Sequence, residues 1–240
     1  MDWGLVGATA CSANVVLVVD VLSFSTSVTL ATERGTRVYP SPWNDQRAQA
    51  LAAEHDAVLA IGRLEASRLD GVTAPSLSPA HLQRTAPVPR LVLPSPNGST
   101  IATTLGQSGS AVAIGCLRNA RAAGAWAAQE LAAGRSVAII AAGERWGSDK
   151  SLRPALEDQL GAGAIASHLV ASGHAHACSP EALAAAALFQ AMARDLHDVM
   201  HTCVGGRELA AIGFESDVDV AAELDASSSV PILEDGAFAI

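Results

Sequence analysis

A chain of 240 residues, half of them hydrophobic, is long enough to bury a full core as one domain, 1–240. Only 4% of its residues are aromatic, so that core must be built from Ala, Val, Leu and Ile. The net charge of −9 argues against nucleic acid as a partner, since its phosphates would be repelled, and no unbroken apolar run of about 18 residues suggests a membrane span.

Met1-Asp2-Trp3-Gly4 lacks the basic-then-apolar order of a signal peptide. Cys11, Cys116, Cys178 and Cys203 are too scattered for a zinc or disulfide framework, so reduced thiols in a cytoplasmic protein are expected. Asn14 to Val19 is a β-branched run that predicts a strand buried on both faces, ending at Asp20. A helix follows from Ser23 to Arg34-Gly35, then a strand at 36–39 and a helix at 44–54 capped by Asn44. Ala57 to Ile61 reads as a third strand and 62–80 as a long loop.

Arg90 to Leu93 predicts the next strand, leading into Asn97-Gly98 and a short helix. Strands at 111–116 and 136–142 flank an Ala-rich helix at 119–133. A loop at 143–153 then precedes a helix from about Pro154 to Ala171, and further helices follow Ser179 as far as Ile212. The tail segments Val230-Pro-Ile-Leu and Ala237-Phe-Ala-Ile read as edge strands. Short apolar strands alternating with longer helices predict an α/β three-layer α/β/α sandwich with a largely parallel or mixed sheet.

Ligands in open α/β sheets sit outside the carboxyl ends of the strands. The residues that follow each predicted strand are Asp20, then Gly62-Arg63-Leu64-Glu65, then Ser95 to Thr100, then Arg118-Asn119, then Glu144 with Glu157-Asp158. Asp20, Glu65, Glu157 and Asp158 offer oxygen ligands of the kind Mg²⁺ prefers. Asn97-Gly98-Ser99 places amides and hydroxyls at a helix start, which suits an anion, and Arg118 or Arg63 is a candidate clamp for phosphate. Each residue also has a plain structural reading: Asp20, Glu157 and Asp158 as helix-terminal acids, Asn97-Gly98 as a turn, Arg63 and Arg145 as surface charges.

The usual phosphatase signatures are missing. Leu22 occupies the second acid of an Asp-x-Asp pair after Asp20, no cysteine begins a C-x₅-R motif, and there is no P-loop.

Val18-Val-Asp-Val-Leu22, Ile61-Gly-Arg-Leu-Glu65, Asn97-Gly-Ser99, Leu117-Arg-Asn119, Ala141-Ala-Gly143, Leu156-Glu-Asp158 with Ala162-Gly163, and Val230-Pro-Ile-Leu occur in that order. This ordered set resembles the 2-phosphosulfolactate phosphatase family, from about residue 11 to 238. The resemblance implies an α/β/α fold, a Mg²⁺ ion and a small anionic phosphate ester as substrate. The chain departs from the family pattern at Ser23, where arginine is usual, and in the loop at 71–79.

The expected activity is therefore Mg²⁺-dependent hydrolysis of a small phosphorylated acid. Asp20, Glu65 and Asp158 are the expected catalytic residues, and Asp20, Glu157 and Asp158 the metal ligands. Asn97, Gly98, Ser99, Arg118 and Asn119 are the expected substrate contacts, with Ser23, Ser25 or Ser27 open as a nucleophile. A phosphatase for a different ester and a non-catalytic binding protein are the alternatives; a homodimer is compatible with each.

Overall fold

The structure is a computed structural model that describes residues 1–66 and 75–240. The first half of the chain runs β1 (Asp2–Trp3), α1 (Gly4–Ala10), β2 (Val15–Val19), α2 (Phe24–Glu33), β3 (Arg37–Ser41), α3 (Gln46–Glu54), β4 (Val58–Leu59), α4 (Arg63–Ala66) and α5 (Pro79–Arg84). It continues with β5 (Arg90–Pro94), α6 (Gly98–Gly106), β6 (Ala111–Gly115), α7 (Ala120–Ala132), β7 (Val137–Ala141), β8 (Glu144–Arg145), β9 (Leu152–Arg153) and α8 (Leu156–Leu169). The remainder is α9 (Pro180–Met192), α10 (Leu196–Thr202), α11 (Val204–Ala211), α12 (Glu215–Ala221), β10 (Ile232–Glu234) and β11 (Ala237–Ala239).

Among the described residues, nine strands form one sheet in the order β1-β7-β2-β6-β10-β11-β3-β5-β4. The five residues of β2 are all buried, because alternate side chains serve opposite faces. Leu17 and Val19 join a core with Ala123, Leu160, Ile165 and Phe189 under α7, α8 and α9. Val16 and Val18 join the opposite core with Phe24, Val28, Ile101 and Leu105 from α2 and α6. Two faces so covered make the three-layer α/β/α arrangement that the alternation of strands and helices predicts.

The tail strands are not at an edge. β10 and β11 form an antiparallel hairpin between two parallel blocks, pairing Ile232 with Ala113 of β6 and Phe238 with Val38 of β3. The edge is taken instead by β1, parallel to β7, and by β4, parallel to β5. Through the hairpin the block β3-β5-β4 runs opposite in sense to β1-β7-β2-β6. In a flat sheet the ends of β2 and β5 would then lie at opposite edges and five strand spacings apart laterally, a separation above roughly 24 Å. Yet Gly98 N, just after β5, donates to Asp20 Oδ2, just after β2, at 2.8 Å. The sheet must therefore coil strongly, and that coil brings the two loops together.

Other boundaries shift for identifiable reasons. Asp45, not Asn44, caps α3: its Oδ1 accepts from Arg47 N at 2.9 Å, and its carboxylate also pairs with the Arg47 guanidinium. The segment 143–153 holds the small β8–β9 hairpin, and the segment 62–80 carries α4 and the start of α5. The start of the 71–79 loop lies outside the described residues. α8 begins at Leu156 because Arg153 is still paired in β9 and Ala155 is extended.

Candidate active site

The end of β2 is locked before any chemistry is added. Ser25 Oγ accepts the Asp20 amide at 2.9 Å and donates to Val18 O at 3.0 Å, closing the turn onto its own strand. That turn aims the Asp20 carboxylate at the starts of two helices. Its Oδ1 accepts from Phe24 N of α2 at 3.2 Å and its Oδ2 from Gly98 N of α6 at 2.8 Å. Both helix N-termini favour a negative charge there. Gly98 is required: a Cβ at that position would lie 2.6 Å from Asp20 Oδ2 and would also overlap the Phe24 ring.

Asp158, on the first turn of α8, does not serve its own helix. Its Oδ1 accepts from Val21 N at 2.7 Å and its Oδ2 from Gly143 N at 2.8 Å, so one carboxylate ties the loop after β2 to the loop after β7. Glu157 points to another neighbour, with Cys203 Sγ 3.5 Å from its Oε2 and Gly205 packed against the carboxylate. Any Cβ on Gly205 would enter the Glu157 carboxylate. Glu144 accepts from Asn97 Nδ2 at 3.1 Å, while Asn97 Oδ1 accepts from Arg145 Nε at 3.2 Å.

These acids feel one another. Burial pushes the Asp20 carboxyl up to about 6, against the pull of the Phe24 and Gly98 amides, and Glu144 and Glu157 add to the rise. Asp158 is held well above the ordinary carboxylate range, first by burial and then by Asp20 and Glu157. Glu157 is raised as well, mainly by burial. Burial outweighs two helix N-termini at Asp20, so the pocket strongly disfavours a charge that lacks a counter-ion.

One nearby cation is Arg63 of α4. Its Nη2 donates to Ser23 Oγ at 2.8 Å and its Nε lies 3.1 Å from Asp217 Oδ2 on α12. Asp217 is fully buried and also accepts from Ser78 Oγ and from Ala80 N. Arg63 is thus an internal bracket, not a surface charge. It lines a cleft of about 360 Å³ with Trp43, Gly62 and Ser95. A second cleft, about 270 Å³, is lined by Asn97, Glu144, Arg145 and Lys150. A third, about 480 Å³, has buried Glu157 in its lining with Arg153 and Arg207.

The structure brings Asp20, Glu157, Asp158, Asn97 and Gly98 together. Ser99 is buried behind them, its Oγ donating to Leu93 O at 2.9 Å, and Glu65 is exposed on α4 beside Gly62. Arg118 and Asn119 are committed elsewhere. Arg118 pairs with Glu223 and donates to Val220 O, while Asn119 brackets Cys116 N, Ile114 O and Ser229 O. The hydroxyls of Ser25 and Ser27 donate to backbone carbonyls, of Val18 and Leu77. Sequence reasoning missed the roles of Asp217, Cys203 and Gly205. They come from the helical cover late in the chain, which follows no strand, so reading strand ends does not reach them.

Among the described residues, the trio of His, Cys or carboxylate side chains whose ligand atoms all lie within 4.8 Å is His197, His201 and Asp219. Asp20, Glu157 and Asp158 are set wider than that. They are oxygen donors only, buried and mutually repelling, and this donor chemistry fits a hard cation that keeps much of its own water.

Fold and site together define a three-layer α/β/α protein with a buried carboxylate cluster where the strand-end loops of two sheet blocks meet. The chain belongs to the 2-phosphosulpholactate phosphatase family, whose model matches residues 6–236. It is 32% identical over 226 residues to a probable 2-phosphosulfolactate phosphatase of Thermus thermophilus, covering 92% of this chain and 88% of that one. It is 29% identical over 229 residues to a protein of the same description from Deinococcus radiodurans, covering 93% and 89%. No helix among the described residues is long and apolar enough to cross a membrane.

Proposed function

We propose that this chain hydrolyses a small phosphorylated acid, with 2-phosphosulfolactate as the leading substrate and Mg²⁺ as cofactor. The observation that carries the reading is the convergence of buried Asp20, Glu157 and Asp158 with Glu144 beside them: Asp20 and Glu157 raise Asp158, and Glu144 and Glu157 add to the rise at Asp20. Family membership supplies the reaction class. Asp20, Glu157 and Asp158 are the residues that would hold Mg²⁺, with Glu144 beside them. Bound there, the ion would neutralise charge on the transferred phosphoryl group and acidify an attacking water.

The chain's own groups divide the remaining work. Asp20, ionised once paired with the ion, would hold it through the lone pairs that the Phe24 and Gly98 amides leave free. Asp158 positions the site by holding the Val21 and Gly143 amides. Asn97, held by Glu144 and Arg145, faces the cleft in which Arg145 and Lys150 would meet the substrate's anionic groups. Gly98 contributes through its amide, which fixes Asp20, and Ser99 through the turn behind it. Glu65, at the Gly62 rim, is the candidate for taking the water's proton.

The test is phosphate release from 2-phosphosulfolactate and a panel of phosphorylated small acids, with Mg²⁺ and with EDTA, for wild type and Asp158→Asn. Release that requires Mg²⁺ and is lost in the variant supports the assignment, and the preferred ester names the substrate class. No release from any ester, by protein shown to be folded, overturns it.

A further inference from the structure

The helices that cover the site carry a second cluster of potential ligands that the phosphatase reading does not use. His197 and His201 stand four apart on α10 and so share one helical face, with ring centroids 4.4 Å apart. Both present Nε2 to a single oxygen on α12: Asp219 Oδ1 lies 3.3 Å from His197 and 2.8 Å from His201. We propose that His197, His201 and Asp219 form a surface site for a divalent transition-metal ion of the Zn²⁺ class.

The spacing suits that ion. Ligand atoms held about 2.0–2.1 Å from a tetrahedral Zn²⁺ lie roughly 3.3 Å from one another. Two of the three separations are 2.8 and 3.3 Å and all lie within 4.8 Å, so an ion enters with small side-chain movements. A histidine pair at i, i+4 on one helix face is also a recurrent zinc-binding device. Two imidazoles with one carboxylate favour a borderline metal over Mg²⁺, which prefers an all-oxygen shell.

The surrounding acids fit the same assignment. His197 Nδ1 lies 3.6 Å from Asp198 Oδ1, and His201 Nδ1 lies 3.8 Å from Glu215 Oε1. Neither distance is a hydrogen bond, but both acids place negative charge beside the imidazoles, which favours a bound cation once Nε2 releases its proton. One hydrogen-bonded histidine would satisfy Asp219 Oδ1. Two rings converging on the same atom, each with an acid behind it, is the arrangement a metal would exploit. Three protein ligands leave one position for water.

The location gives the ion a consequence. It would tie α10 to α12. α10 leads directly into Cys203, whose thiol meets Glu157, and α12 carries Asp217, the partner of Arg63. An ion at this clip braces two contacts of the carboxylate pocket from outside. Its binding does not depend on the phosphatase reading.

The test is calorimetric titration of Zn²⁺ into the whole chain in excess Mg²⁺, for wild type, His197→Gln/His201→Gln, Asp219→Asn and Asp158→Asn. The proposal expects one Zn²⁺ per chain for wild type and Asp158→Asn, weaker binding for Asp219→Asn, and loss in the double variant. Because the three ligands are on the surface or close to it, these variants should fold; thermal melting checks this, and Zn²⁺ should raise the melting temperature of wild type only where binding persists. Co²⁺ added to wild type should give the intense visible absorption of a four-coordinate site. Absence of stoichiometric Zn²⁺ binding to wild type overturns the proposal. Binding that survives the double variant, or that is lost on Asp158→Asn alone, overturns it too by assigning the ion elsewhere.

Discussion

At the scale of single residues, the site depends on contacts that leave no spare volume. Gly98 lies where its amide must reach Asp20 Oδ2 with the Phe24 ring alongside. Gly98→Ala should destabilise the fold by about 1–3 kcal/mol through overpacking, and should also cut phosphate release because Asp20 is displaced. Urea unfolding and the release assay on the same variant check both effects. Arg63→Ala removes the partner of a fully buried carboxylate, and isolating Asp217 should cost roughly 3 kcal/mol. If unfolding shows a change below about 0.5 kcal/mol, the bracket between α4 and α12 contributes little, as exposed pairs do. Asp20, Asp158 and Asn97-Gly98 were legible in the sequence because each follows a strand. Arg118 and Asn119 follow a strand equally well, yet the chain turns them inward to bind carbonyls and amides. Position along the chain is the same in both cases; only the direction of the turn differs, and spacing does not encode it.

At the scale of elements, β2 was readable because five β-branched or aliphatic residues in a row have no alternative to burial on both faces. α8 was harder. Its ten buried residues lie all round the helix, since it is packed between β2 and α9 and has no polar face to mark its period. Gly161 and Gly163 make that position possible: a Cβ on Gly161 would lie 2.9 Å from Val19 Cγ1, and one on Gly163 would collide with the Ala185 carbonyl. Gly163→Ala should push α9 away from α8 and lower the unfolding midpoint, while Ala164→Gly, on the same helix, should cost only about 1 kcal/mol of helix propensity plus its lost packing. Equal effects from the two would mean that α9 yields easily. The hairpin β10–β11 was misplaced for a physical reason. Three-residue strands carry too little pattern to show whether they end a sheet or fill its middle, and their partners β6 and β3 are remote in sequence.

For the molecule as a whole, the carboxylate pocket sets the dependence of stability on pH. Asp20, Glu157 and Asp158 all have folded-state protonation raised above that of the unfolded chain. Each therefore contributes stability that is fully present below about pH 4 and lost as the pH rises through its folded value, about 6 for Asp20. For Asp20 alone the difference amounts to roughly 3 kcal/mol. Acids with lowered values, such as Glu208 beside Arg153, act in the opposite direction at lower pH and limit stability there. Without divalent cations the melting temperature should thus be higher near pH 5 than near pH 8. Mg²⁺ should raise it more at pH 8, where the carboxylates are ionised. A scan showing a higher melting temperature at pH 8 in EDTA would contradict the burial of these charges.

The central hairpin also bears on how the molecule assembles. The block β3-β5-β4 is built from one stretch of chain, Arg37 to Pro94, whereas β1 and β2 pair with β6 and β7 far along the sequence, and the seam joins Phe238 to Val38 and Ile232 to Ala113. Closing it carries the loop-closure entropy of nearly the entire chain, a cost that is met before those contacts return any stability. The local block β3-β5-β4 is therefore expected to gain protection from amide exchange first in refolding, with the β10–β11 hairpin last. Because Asp20 and Gly98 come from opposite sides of that seam, the pocket should be completed only at this final step, and competence for catalysis should lag behind secondary structure.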